Sequence, residues 1–383
     1  MKQINLHIYI YFICCLCFGV YGFLHVNKVI FSVNKTAQAA TSIPSFPTNN
    51  ISPPKQSFQS IPIIQPLTLE MIFSTAQNIS KHDQQITLTA IGDVGLVRSI
   101  NAKMISTNNV NWPFEKTAKI LKKADLTLIN LEGALSSDCP TTIDGMVLCG
   151  ILDNINALLY AGVDVAHIAN NHIGDTGKTG ISETISLLQK NNITPIGHTT
   201  HEIIANKDTQ FAFLGYNLIP PKHAEINWAT QEQIVSDISS ANQLSDFIIV
   251  SIHWGVEYTE QPSKEQQSLA HAAINAGADL IIGHHPHWIQ PIEIYKDKLI
   301  FYSLGNFIFD QMWSQKTREG LIAEITIQKQ IIVDVTLHPI LIEHYGQPRI
   351  LTGIEKQNVL SALHKASIKL TEQTPVENHS SKQ

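Results

Sequence analysis

The chain has 383 residues, 44% of them apolar, and a formal net charge of −6 at pH 7. That is enough apolar material to bury a full core. It leaves no basic stripe to neutralise phosphates, which argues against nucleic acid as a partner and favours cationic partners or metal ions.

Residues 7–24, His-Ile-Tyr-Ile-Tyr-Phe-Ile-Cys-Cys-Leu-Cys-Phe-Gly-Val-Tyr-Gly-Phe-Leu, carry no Asp, Glu, Lys or Arg. At about 1.5 Å per residue a helix of this length spans roughly 27 Å, close to the hydrocarbon thickness of a bilayer. The stretch reads as a signal-anchor helix or as a cleaved signal peptide. Cleavage chemistry is poor: Val20-Tyr21-Gly22 fits weakly, and Ala37-Gln38-Ala39 lies too far downstream. The expectation is a membrane anchor over residues 1–27, at the cell membrane, with the body outside the cytoplasm. Residues 28–83 are rich in Ser, Thr, Asn, Pro and Gln and read as a polar linker.

The body is expected over residues 84–345. Strands are predicted at Ile86–Ile91, Leu126–Leu131, Val163–Ala169, Phe211–Tyr216, Phe247–His253 and Leu280–Gly283. Helices are predicted between them, near 113–123, 153–161, 178–191, 230–243 and 263–276, where apolar residues recur every three or four positions. Strand alternating with helix is the α/β signature. The pattern then changes to hairpins, with Ile292–Tyr295, Leu299–Leu304, Leu321–Ile327 and Ile331–Leu337 joined by short turns. The fold class is therefore α/β with mixed sheets and a hairpin-rich C-terminal part. Residues 346–383 read as an extension ending in a polar tail. Three of the five cysteines lie in the apolar segment. Cys139 and Cys149 could close a small loop outside the cytoplasm, worth on the order of 3 kcal/mol, or stand as two thiols.

Polar residues collect where the strand-like runs end. Asp93 follows Leu88–Gly92; Asn130 and Glu132 close the next run. Asn170, Asn171 and His172 follow Val165–Ala169, His253 closes Phe247–Ile252, and His284, His285 and His287 follow Leu280–Gly283. Ligands of open α/β sheets gather outside the carboxyl ends of the strands, so these distant residues can meet in one crevice. Singly, an Asp after a strand suits a helix cap, and Asn-Asn-His suits a turn. Three imidazoles in four positions point instead to metal. On extended backbone His285 and His287 would face the same way and His284 the opposite way. A nitrogen and oxygen set without thiolate suits Mn, Fe or Zn, as one or two ions. His172 beside Asn171 is placed to protonate a leaving group. Glu257, Asn306 and Asp310 are candidates for substrate contact, and Arg98 for holding an anionic polymer.

These segments, Ile91-Gly-Asp93, Asn130-Leu-Glu132, Ala169-Asn-Asn-His172 with Asp175 and Gly177, His253-Trp-Gly-Val-Glu-Tyr258, Gly283-His-His-Pro-His287 and Tyr302–Gln311, resemble the CapA family of bacterial capsule synthesis proteins associated with poly-γ-glutamate. The family's domain is similar to calcineurin-like metallophosphoesterases, which implies a four-layer α-β-β-α sandwich. By this resemblance the metal ligands are Asp93, Glu132, Asn171, His253, His285 and His287, and the catalytic residue is His172. Two departures stand out: Val94 and Gly95 replace the rest of an Asp-x-His motif, and Asn130-Leu-Glu132 stands where Gly-Asp is usual. The resemblance implies work on an anionic envelope polymer beside other capsule synthesis and export membrane proteins. It leaves open a metal-dependent hydrolase and a membrane-anchored, non-catalytic polymer-binding assembly factor.

Overall fold

The computed structural model describes residues 66–74 and 84–373. The expected anchor over 1–27 lies outside the described residues. In chain order the elements begin with a short helix, Leu69–Phe73 (α1), then Ile86–Val94 (β1), Arg98–Thr107 (α2), Ala118–Leu121 (α3), Leu126–Leu131 (β2), Ala134–Leu135 (β3) and Cys149–Gly150 (β4). Ile155–Ala161 (α4), Val165–His167 (β5), Gly177–Lys190 (α5), Thr194–Ile196 (β6), Glu202–Asn206 (β7) and Thr209–Asn217 (β8) follow. Next come Gln231–Ala241 (α6), Phe247–His253 (β9), Lys264–Ala276 (α7), Leu280–His284 (β10), Ile292–Tyr295 (β11) and Lys298–Phe301 (β12). The chain continues through Asn306–Ile308 (β13), Gln315–Arg318 (α8), Glu319–Gln328 (β14), Ile331–Glu343 (β15), Gln347–Ile350 (β16) and Gly353–Gln373 (α9).

The strands form two large sheets. One runs β16-β15-β14-β1-β2-β5-β6, with β13 joining β1; the other runs β11-β12-β10-β9-β8-β7. β1, β2, β5 and β6 are parallel, as are β8, β9, β10 and β12, while the late hairpins add antiparallel strands. Alternation along each strand sorts the side chains into three cores. Leu128, Val165, Phe211, Phe213, Ile249, Leu280 and Ile282 fill the space between the sheets. Ile129 and Ala166, one residue out of phase, meet Ile100 and Met104 of α2, Leu158 of α4 and Leu188 of α5. Ala212, Leu214, Ile248, Val250 and Ile281 meet Ile234 and Ile238 of α6 and Leu269 and Ala273 of α7. Helix, sheet, sheet and helix therefore stack as four layers. The strong boundary before α7 is a capping box between Ser263 and Gln266.

Two stretches do more than their composition suggested. Within the expected linker, α1 docks through Ile72, with Leu67 buried just before it. At the other end, α9 continues to Gln373, with Leu363 buried in the inter-sheet core and Leu370 in the outer one. The expected polar tail is thus helical and packed up to that point. A few buried leucines on one face suffice to dock an otherwise polar helix.

Glycines let the strands crowd beneath the site. A Cβ on Gly92 would come 1.9 Å from the Gly305 carbonyl oxygen, and one on Gly320 would come 1.8 Å from that of Asn306. With neither present, Asp93 N donates to Gly305 O at 2.9 Å and β13 pairs with β1 at Asp93 and Val94.

Candidate metal centre

The parallel strands of both sheets end at one rim, and their terminal residues meet there. Asp93 at the end of β1 and Glu132 just past β2 are both fully buried. Asn130 of β2 donates to Asp93 Oδ1 at 2.8 Å and lies 3.3 Å from His253 Nδ1, joining the first sheet to the second. His287 Nδ1 lies 3.1 Å from Asp93 Oδ2, and its Nε2 lies 3.8 Å from Glu132 Oε1. One donor atom each from Asp93, Glu132 and His287 fall within 4.8 Å of one another. His253 Nε2 and Asn171 Oδ1 are 2.8 Å apart, and the His253 and His285 rings sit 4.8 Å apart. Of the six residues expected as ligands, Asp93, Glu132 and His287 make up the three-donor group, and Asn171, His253 and His285 adjoin it.

The geometry corrects the alternation argument for the histidines. The chain leaves β10 at His284, and His285 and His287 adopt left-handed backbone with φ of 97° and 59°. Such values are rare for non-glycine residues and concentrate at functional sites. His284, expected to face away, places Nδ1 3.3 Å from Asp93 Oδ1.

Three residues expected at the substrate serve other groups. Asn306 is fully buried and pairs with His287 Nδ1 at 2.9 Å, while its amide donates to Gln311 Oε1 and Thr317 O. Asp310 forms an ion pair with Arg98 and accepts from Ser99 Oγ at 2.8 Å. The Arg98 guanidinium is thereby neutralised, with Gly145 O accepting a further bond at 3.1 Å. Glu257 does reach the mouth: it is exposed, with Oε1 3.8 Å from His287 Nε2.

His172 stands at the edge, its Nδ1 2.9 Å from Asp175 Oδ2. Asp175, two residues before α5, does not cap that helix, which starts without a side-chain cap. Asn170 donates to Leu131 O at 2.8 Å and to Asn130 Oδ1 at 3.3 Å, bracing the floor. The only trace of these supporting roles in the sequence is position beside a ligand. Tyr258, with Trp288 at 6.3 Å and Trp313 at 5.9 Å between ring centres, walls the mouth.

Burial and charge set the protonation of the cluster. Burial would raise the Asp93 carboxyl, but bonds to His284 and His287 outweigh it and hold it well below the usual range. Burial, reinforced by Asp93, pushes Glu132 up to about 7 against the pull of His287. His287 is pushed down by burial, yet Glu132 and Asp93 carry it up to about 9. Burial first, then the neighbouring imidazole, drives His253 and His285 down, His285 to about 3, which leaves both as neutral nitrogen donors.

The donors fit a divalent ion. Glu132 Oε1 and His285 Nδ1 are buried without any hydrogen-bond partner, a costly state unless a cation answers them. Carboxylate and imidazole donors without sulfur select a metal such as Mn, Fe or Zn.

Fold and site together define an α/β/β/α protein with a buried carboxylate–imidazole centre where its two sheets end. Residues 87–311 match the model of the bacterial capsule synthesis protein family PGA_cap, and the chain belongs to that family. It is similar to the "Capsule biosynthesis protein CapA" of Bacillus anthracis, 27% identical over 76% of this chain and 75% of that one. It is also similar to the "PGA biosynthesis protein CapA" of Bacillus subtilis, 28% identical over 72% and 77%. Among solved structures, a phosphatase from Mycoplasma pneumoniae aligns with a TM-score of 0.45 at 14% identity, over 67% of this chain and 94% of that one.

Proposed function

We propose that the chain serves the synthesis of an anionic bacterial envelope polymer of the poly-γ-glutamate type, and that its buried centre is a metal-dependent hydrolase site acting on a phosphoester or amide. The polymer role is supported by the family and by the names its Bacillus relatives carry. The observation that carries the hydrolase reading is Glu132, a fully buried carboxylate with one oxygen unpartnered beside Asp93 and His287.

Asp93, Glu132 and His287 would hold the ion, with Asn171, His253 and His285 as further donors. When bound, the ion supplies a Lewis acid for a phosphoryl or carbonyl oxygen and lowers the pKa of water. The chain does the rest. Asp175 ties up His172 Nδ1, so Nε2 is the atom free to give a proton to the departing group. Asn306 fixes the His287 ring through Nδ1 and leaves Nε2 for the ion.

An extracytoplasmic body tethered at the cell membrane by residues 7–24, next to other membrane proteins of capsule synthesis and export, suits this role. The Cys139–Cys149 disulfide is of a kind that persists in oxidising compartments. Among the described residues no helix is long and apolar enough to cross a membrane.

One observation favours a second reading, a polymer-binding assembly factor. Gly95 stands where the phosphoesterase motif has a further histidine, and a Cβ there would already press on Phe309 at 3.0 Å. Elemental analysis of the purified full-length chain separates the readings when paired with phosphodiester and γ-glutamyl hydrolysis assays in Mn²⁺ or Zn²⁺. Turnover that collapses in His172→Ala supports the hydrolase; bound metal with no turnover on either substrate class supports the assembly factor.

A further inference from the structure

The disulfide joins Cys139 to Cys149 and closes a loop over residues 139–149 at the edge of the metal centre. The tip of that loop buries little: Ile143 is 72% exposed, Met146 75% and Val147 44%. No core therefore holds the tip in place; the apolar anchor is Leu148 at the end of the loop, buried in the first core. The other attachments are polar and lead straight to the site. Leu148 N donates to Asp175 Oδ2 at 2.7 Å, and the same oxygen faces His172 Nδ1 at 2.9 Å. Gly145 O accepts from Arg98, whose other arm reaches Asp310 next to the mouth. Behind Leu148, Cys149–Gly150 pairs with Ala134–Leu135, and the bare Gly133 admits the Leu148 carbonyl, which a Cβ there would meet at 2.7 Å.

We propose that the cross-linked loop 139–149 is a positioning element of the metal centre, which fixes Asp175 through Leu148 N and, through Asp175, the tautomer and direction of the His172 imidazole. The physical reason is the order of the attachments. Leu148 precedes Cys149 directly, so the disulfide anchors the one N–H that completes the Asp175 environment. Without the cross-link, a loop with solvent-exposed apolar side chains has a large entropic incentive to leave. Asp175 would then keep His172 as its only side-chain partner, and the ring would turn with it. The inference rests on the reading of His172 as the proton donor. It goes further by making that histidine depend on a bond between two cysteines outside the ligand set.

The test uses the full-length chain, with nitrogen-15-labelled histidine for resonances recorded with chelator present, and bis(p-nitrophenyl) phosphate as probe for turnover in Mn²⁺. The His172 resonance is assigned from its loss in His172→Ala. The disulfide is opened in two ways: as Cys139→Ser with Cys149→Ser, and by dithiothreitol on the folded wild-type chain. The dithiol gives up two electrons and two protons and closes to its own disulfide. The second route serves if the double variant does not fold. We expect the His172 Nδ1 resonance to move on opening and kcat to fall about tenfold with KM within about twofold, since orientation of a proton donor acts on the chemical step. Reoxidation should restore both. A His172 resonance that stays in place when the disulfide opens overturns the proposal, whatever the turnover. If no form hydrolyses the probe, the phosphoester half of the hydrolase reading fails, and the resonance alone still decides the role of the loop.

Discussion

The two sheets bring different chemistry to the same rim. The first ends in acids and amides: Asp93, Asn130 and Glu132, with Asn170 and Asn171 after β5. The second ends in imidazoles: His253, then His284, His285 and His287. Alone, the first would leave buried carboxylates unpaired and the second would crowd rings that burial strips of charge. Where they meet, the acids carry the His287 imidazole of the metal-free chain up to about 9, a proton at Nε2 that a cation would replace, while burial drives His253 and His285 down. The three-donor group of Asp93, Glu132 and His287 is thus assembled across the sheet interface, with carboxylates from one side and the imidazole from the other.

Substitutions on either side can break that division. The largest effect is expected at the edge of the acid side, where His172→Ala should lower kcat by about 10²–10⁴ while bound metal stays constant, checked by turnover beside elemental analysis. On the imidazole side, Asn306→Ala removes the partner of His287 Nδ1. Metal affinity should fall about 10–100-fold in a calorimetric titration, with the fold intact by circular dichroism. Arg98 belongs to neither donor set. Arg98→Ala should cost about 1–3 kcal/mol in urea unfolding, because Asp310 is left nearly buried with only Ser99. Its affinity for soluble polyglutamate should stay unchanged, as its charge is already paired.

The smallest effect is a slope. Burial above all, with a neighbouring imidazole, pushes His167 in the first sheet and His285 in the second down to about 3. The unfolded chain binds those protons near pH 6.5, so between about pH 3 and 6.5 it holds more protons than the folded one, and stability rises with pH. Glu132, raised to about 7, opposes them between about pH 4.5 and 7. His253, also driven down by burial, adds to the two imidazoles, so the net expectation for the metal-free chain is stability that rises with pH between about 4.5 and 6. Urea midpoints across that range, with chelator present, measure it.

Much of this was legible because an apolar run that stops at a polar residue announces a strand end. Leu126–Leu131 and Phe247–His253 form strands with the predicted bounds, the alternation of strand and helix gives the α/β class, and the four layers are those the family resemblance implied. What escaped depends on partners far away in the chain. Asn306 and Asp310 looked like substrate contacts because nothing local reveals that His287 and Arg98 occupy them. The left-handed turns at His285 and His287 defeat any argument from extended backbone. α2 was missed because its sequence, Arg-Ser-Ile-Asn-Ala-Lys-Met-Ile-Ser-Thr, is largely polar and held by Ile100 and Met104. α9 was missed for the same reason: its stretch read as an extension and polar tail, and only Leu363 and Leu370 hold it to the cores.

Metal content of the purified chain tests the junction of the two sheets most directly, measured for the wild type, Asp93→Asn and His287→Ala after dialysis against Mn²⁺ or Zn²⁺. The account predicts one or two ions per wild-type chain and loss of an ion in each variant, since acid and imidazole sides are both required. Retention of the full complement when either side is removed, or no ion in the wild type at any concentration, would contradict it.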